Sequence, residues 1–212
     1  CHAAAWQEVL AYAERRISRF SGNGTNGQLG LCLALVQAAY GAAKDTPQKA
    51  ALSDLGLKGL ARLQQRTLIL GLIARYQIQI GSASGMVLQW IKGQQLLTAA
   101  EQTRQPEDYR KAADILAIAL ASKDASSQAS LRSRCRYDLA MCQFRLGNLA
   151  EAGPGFEESV SGLKAAGETI AVDALWNAFV CYKRLGKDDA RYLPRAINIL
   201  ASIKRDYPQH EY

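Results

Sequence analysis

Histidine is almost missing from this chain. Its 212 residues hold two, His2 and His210, at opposite ends. The commonest general base and metal ligand therefore has no partner pattern around it. Cysteine is little better placed. Five occur (Cys1, Cys32, Cys135, Cys142 and Cys181), and none forms a C-x-x-C pair. That spacing excludes zinc-finger and thioredoxin-like motifs. An odd, unpaired set favours a reducing, cytoplasmic setting over a disulfide framework. A chain that starts with cysteine also fits the mature end of a periplasmic or membrane-anchored bacterial lipoprotein, although His2 is not the usual next residue.

Long apolar runs are absent as well. The best, from Leu29 to Ala43, is interrupted by Gln37 and is shorter than the ~20 residues that span a bilayer. Valine, isoleucine and threonine are sparse and there are five prolines, which leaves long uninterrupted stretches. Alanine and leucine supply most of the apolar content, so the composition favours helix over sheet. With 49% hydrophobic and 21% charged residues, the chain has an ordinary folded composition.

The net charge of +7 is uneven. Residues 1–106 carry 11 basic and 5 acidic groups, and residues 107–212 carry 15 and 14. The basic clusters are Arg15-Arg16-Arg19, Arg132-Arg134-Arg136 and Lys183-Arg184-Lys187. They suit nucleic acid or another acidic effector only if folding gathers them on one face; spread over helices, they are solvated surface.

Gly22, Gly24 and Gly27 have the G-x-G-x-x-G spacing of a dinucleotide loop, and Asn23-Gly24-Thr25 has that of a glycosylation acceptor. A dinucleotide site needs a strand before its glycines, and the preceding segment is helical in pattern. The glycines are expected to end a helix. No nucleophile elbow, P-loop lysine, zinc spacing or calcium loop is present, so no catalytic, cofactor or metal residue is assigned.

Apolar periodicity predicts helices over 3–20, 29–43, 48–80 in two pieces that break at Gly56 or Gly59, 86–104, 106–122, 128–146, 149–165, 168–185 and 190–206. The total is about nine. Within "YDLAMCQFRLGNLAEAGPGFEESV", one helix carries Leu139, Ala140 and Phe144, Leu146-Gly147-Asn148 turns, and a second carries Ala152, Phe156 and Ser159. The next pair repeats the arrangement with Ala178, Tyr182, Leu185-Gly186, Ala196, Leu200, Ile203 and Pro208. Tyr109, Ala112, Leu116 and Ala119 stand in the same register upstream.

These residues resemble tetratricopeptide repeats over 86–212, with divergent helical hairpins over 1–85. Ala112, Ala152 and Ala196 are 40 and 44 residues apart, against the family's usual ~34. Arg136 replaces an apolar residue, and Pro154 belongs near a helix start. The resemblance implies one all-α domain, a right-handed superhelix of antiparallel helix pairs, within a longer bacterial protein. It implies a non-catalytic scaffold that binds a protein or peptide partner in a concave groove. By that register the groove takes Arg134, Tyr137, Met141 and Phe144 from one repeat and Asp173, Trp176, Asn177, Val180 and Lys183 from the next. The lysine and asparagine clamp used for carboxylate tails is matched only by Asn177. The alternatives are a basic regulatory face and a helical accessory domain of an enzyme.

Overall fold

A computed structural model describes residues 2–20, 24–41, 46–63, 65–78, 85–127 and 129–210, with side chains described from residue 8 onward except those of residues 46–48, 66 and 127. These contain ten α-helices, two short 3₁₀ turns and no strand. The helices are α1 (His2–Ile17), α2 (Asn26–Gly41), α3 (Thr46–Arg62), α4 (Arg66–Tyr76), α5 (Met86–Thr103), α6 (Pro106–Ala121), α7 (Ala129–Leu146), α8 (Leu149–Ala165), α9 (Ile170–Leu185) and α10 (Leu193–Asp206). Contacts gather into two units, Cys1–Leu88 and Gln89–Tyr212.

In the first unit α3 packs against α1, α2 and α4. The expected break at Gly56 or Gly59 does not occur: both glycines lie inside α3, which ends at Arg62, and α4 begins at Arg66. Packing explains the difference. A Cβ on Gly56 would lie 2.7 Å from the carbonyl oxygen of Cys32 and from Val36 Cγ2. The glycine brings two helices together, which offsets its intrinsic helix cost of about 1 kcal/mol. Likewise α4 ends at Tyr76, where Gln77 turns left-handed at φ 52°, short of the residue 80 to which the helix was expected to run. Gln79 and Ile80 lie outside the described residues.

The glycine stretch is a helix start. Gly24 has φ +74°, and Thr25 and Gln28 exchange bonds: Thr25 N–H donates to Gln28 Oε1 at 2.7 Å, and Gln28 N–H to Thr25 Oγ1 at 3.3 Å. This reciprocal capping opens α2. Gly22 and Asn23 lie outside the described residues.

In the second unit neighbouring helices pack in chain order, α6 on α7, α7 on α8, α8 on α9 and α9 on α10. Two connections share one mechanism. Gly147 (φ +83°) and Gly167 (φ +70°) follow α7 and α8, and the next N–H reaches back to Gln143 O and Leu163 O. A left-handed glycine thus satisfies carbonyls that the helix end leaves open. Gly186, in the second Leu-Gly pair, departs from this. Its φ is −65°, and a short 3₁₀ turn capped by Asp189 follows. Residues 187–192 make that turn before α10 begins at Leu193.

Small residues set the seams. Gly155 lies against Ala140, Gly162 against Ser133, and Gly153 against Cys181 and Tyr182. This requirement places Pro154 inside α8 rather than at its start. The missing N–H leaves the Ala150 carbonyl without its helical donor, on an exposed residue that water reaches. The glycines on either side fix the two seams.

Cys32, Cys135, Cys142 and Cys181 are fully buried, the last three within the second unit. Burial pushes the Cys32 thiol up to about 11. It pushes Cys135, Cys142 and Cys181 up to about 12. A disulfide reagent at neutral pH is expected to label none of these four until denaturant is added. Native labelling at the rate of a free thiol would contradict the packing. Since folding raises these values above the 9.0 of the exposed thiol, the stabilisation is complete below pH 9. It is lost as pH rises toward 12, at up to ~1.4 kcal/mol per pH unit for each thiol.

Candidate functional site

Polar contacts tie α5 to α7 and fix their register. Trp90 and Gln94 of α5 donate to Asp138 Oδ2 of α7, at 2.7 and 2.8 Å. Nearer the C-terminal ends, Arg145 of α7 pairs with Glu101 of α5 at 2.8 Å. The partner numbers rise together, so α5 and α7 run in the same direction. Arg134 of α7 pairs at 2.8 Å with Glu168, two residues before α9 begins, and Arg184 near the end of α9 stands 5.9 Å over the Phe144 ring near the end of α7. These helices too are parallel. The second helices repeat the relation: Glu157 of α8 pairs with Arg195 of α10, and Lys164 with Asp206.

Asp138 is the residue that the sequence reading missed. It is only 4% exposed, yet accepts from Trp90 and Gln94 and lies 3.6 Å from Arg134 Nε. An aspartate inside an apolar helical stretch is a poor helix former, and that mismatch was the available signal. Its donors, 44 and 48 residues upstream, were not legible.

The nine expected groove residues fall on two stripes. On α7, Tyr137 is buried at 8% exposure and meets Phe156 edge-on at 5.5 Å. It belongs to the core between α7 and α8 instead of facing outward, because a phenol ring beside small Ala140 fills the space over Phe156. Arg134, Met141 and Phe144 are half-buried. Arg134 spends its charge on Glu168 and Asp138. Phe144 also packs edge-on against Phe156, at 6.2 Å. On α9, Asp173, Trp176, Asn177 and Val180 are half-buried and Lys183 is exposed.

Phe179, which the repeat register left out, joins that second stripe. Its ring is 5.1 Å from Trp176, and Lys183 Nζ stands 5.7 Å from its centroid. Two partly exposed aromatic rings with a cation at their edge make a surface for apolar or aromatic side chains that carry a nearby negative charge.

No family model, characterised protein or solved structure matches this chain. The reading of the site therefore rests on its own geometry.

The basic clusters are divided by pairing. Arg134 and Arg136 of the middle cluster are engaged by Glu168 and Glu158. Arg145, Lys164, Arg191, Arg195 and Arg205 are likewise paired. Glu157 and Glu158, adjacent in sequence, point to different partners: Glu157 to Tyr182 and Arg195, Glu158 to Arg136. Such pairs do not form a two-carboxylate site, which needs both groups turned on one bond. Among the described residues no group of three or more histidine, cysteine or acidic side chains comes together to hold a metal. No helix of the described residues is long and apolar enough to cross a membrane.

Proposed function

We propose that the second unit is a tetratricopeptide-like scaffold whose three helix pairs hold a peptide or a segment of a partner protein along the face formed by the first helices. The observation that carries this reading is the parallel alignment of α5, α7 and α9, held by the Asp138, Arg145 and Arg134 contacts. Parallel first helices in successive antiparallel pairs make a ridge of repeated stripes, the arrangement from which helical-repeat proteins build extended binding faces. On this reading the pairs follow one another as a superhelical array.

The contact surface is Met141 and Phe144 on α7 with Trp176, Phe179, Asn177, Val180 and Lys183 on α9. Tyr137 supports it from below. Half-buried aromatic rings supply contact area at low entropic cost, and Lys183 selects peptides that carry an acidic group beside an apolar one. The role is non-catalytic: binding energy and register are what the face provides.

Peptide selection on the full chain, followed by titration of the selected peptides, tests the proposal. Trp176→Ala is expected to weaken binding by about tenfold or more, equivalent to ~1.4 kcal/mol, since a hot-spot aromatic contributes at least that much. Lys183→Glu is expected to reverse the preference for acidic peptides. Lys183 is exposed, so its variant should keep the parent's melting temperature; Trp176 is half-buried against the core, so its variant is expected to melt lower yet fold, and circular dichroism checks the fold before titration. Selected peptides that bind both variants as they bind the parent would place the site elsewhere.

A further inference from the structure

The first unit holds most of the chain's surplus charge: residues 1–88 contain nine basic and four acidic groups. Folding gathers four of the arginines at one end. Arg15 and Arg16 lie on the last turn of α1, and Arg19 in the turn that closes it. Arg62, the last residue of α3, reaches the same end, where its Nη1 donates to the Ser18 carbonyl at 3.2 Å. Ile17 packs over Gly59, so the two helix ends are in contact. All four arginines are exposed, and none forms an ion pair among the described residues.

The acids of the unit are placed elsewhere. Asp54 pairs with Lys58 at 2.6 Å. Glu14 lies about 100° or more round α1 from Arg15 and Arg16, and Glu8 is about 10 Å or more from them along the axis. Asp45 lies outside the described residues. One aromatic ring stands among the cations. Tyr12 is a turn before Arg15 and Arg16 on the same side of α1, and it is 56% exposed. Arg16 steadies it: its Nη1 donates to the phenol oxygen at 3.4 Å, and its guanidinium is 5.9 Å from the ring centroid.

We infer that this end of the first unit binds single-stranded nucleic acid, with the four guanidiniums on backbone phosphates and Tyr12 stacked on a base. Charge complementarity calls for an anionic partner, and three features select this one. Every cation in the cluster is arginine, whose planar fork meets phosphate oxygens with two donors at once. Arg15, Arg16 and Arg62 each place one N–H on the protein, which leaves the others of each guanidinium to a ligand. The exposed ring offers the stacking that unpaired bases accept and that duplex bases, already stacked, do not. A lipid surface would be met by the apolar stripe of a helix. In α1 that stripe is buried in the core, with Ala13 4% and Ile17 2% exposed. Because the face is charged, water covers it in the free chain and no further helix is needed to close it.

The test uses the full chain and a fluorescein-labelled oligothymidylate of about 16 nucleotides, the upper end of single-strand site sizes. Fluorescence anisotropy is measured over a range of salt concentrations. The logarithm of the association constant should fall against the logarithm of salt with a slope of about −2.8, or about −0.7 for each of four phosphates. Arg16→Ala combined with Arg19→Ala should bring the slope to about −1.4 and weaken binding at least about tenfold at 0.1 M salt. Arg62→Gln, which removes the charge and keeps a side-chain N–H donor, should bring it to about −2.1. Tyr12→Ala should weaken binding about fivefold or more with the slope unchanged. These side chains are exposed, so the thermal melts should match the parent's. Lys123→Ala combined with Arg132→Ala removes the same charge from exposed positions of the second unit and should change neither affinity nor slope. An equal loss in that control overturns the proposal, because binding would then follow net charge alone. So does an unchanged slope in either arginine variant, or an unchanged affinity in Tyr12→Ala. Binding to phosphatidylserine vesicles without binding to the oligonucleotide overturns it too, and would make the partner an anionic membrane.

Discussion

Replacing Asp138 with alanine is expected to lower the stability of the second unit by about 3–5 kcal/mol, the usual cost of removing one member of a buried charged network. The loss has three sources. Trp90 Nε1–H and Gln94 Nε2–H, both on buried side chains, lose their common acceptor. Each unsatisfied buried donor costs about 1–3 kcal/mol. Arg134, 3.6 Å away, loses one of its two carboxylate neighbours. Asparagine is the discriminating control. Its carbonyl oxygen can accept from Trp90 and Gln94 in place of Oδ2, but its amide turns toward Arg134. Asp138→Asn should therefore cost about 1–2 kcal/mol, the scale of one charge-assisted contact. Urea titration followed by circular dichroism and tryptophan emission checks both. If the alanine variant lies within 1 kcal/mol of the parent, the network does not hold α5 against α7.

Much of the helical plan was legible because it depends on neighbours in sequence. Expected and observed bounds agree within three residues for every helix from α5 to α10. Stripes three and four residues apart, Pro106 at a first turn and Gly147 in a turn are local signals, and local backbone chemistry decides them.

The misreadings share a different cause. Gly56 and Gly59 look like breakers in isolation, and their reason to stay helical lies in α2. Pro154 looks like a helix start, and its place inside α8 follows from seams that Gly153 and Gly155 make with α9 and α7. Gly186 follows a leucine as Gly147 does, yet keeps a right-handed φ, and its missing Cβ leaves room for Leu193. Tertiary contacts outweigh a propensity of about 1 kcal/mol in each case. The same distinction separates the site residues. The stripes on α7 and α9 were readable from spacing. The burial of Tyr137, the addition of Phe179 and the Asp138 network required knowing which helices lie side by side.

Phe156→Ala is expected to cost about 3–5 kcal/mol, the range for removing a fully buried phenylalanine. Phe156 is 0% exposed and receives the edges of Tyr137 and Phe144 on one side. It shares its core cluster with Leu163, Val172, Leu175 and Ala178. Its truncation therefore removes contacts with both neighbouring helices at once. The seams beside it are already at glycine and alanine distance, so α7, α8 and α9 have little room to close the void by moving together, and the cavity term stays. Against a typical domain stability of about 5–15 kcal/mol, such a loss brings the unit close to unfolding at room temperature. Phe156→Leu keeps most of the buried volume and gives up the two edge-on ring contacts, so it should cost roughly 1–2 kcal/mol. A denaturation series of the three proteins measures this order directly. Equal losses for leucine and alanine would mean that ring geometry, rather than filled volume, holds the middle pair. An alanine variant as stable as the parent would show that α8 is not the shared wall between the two seams.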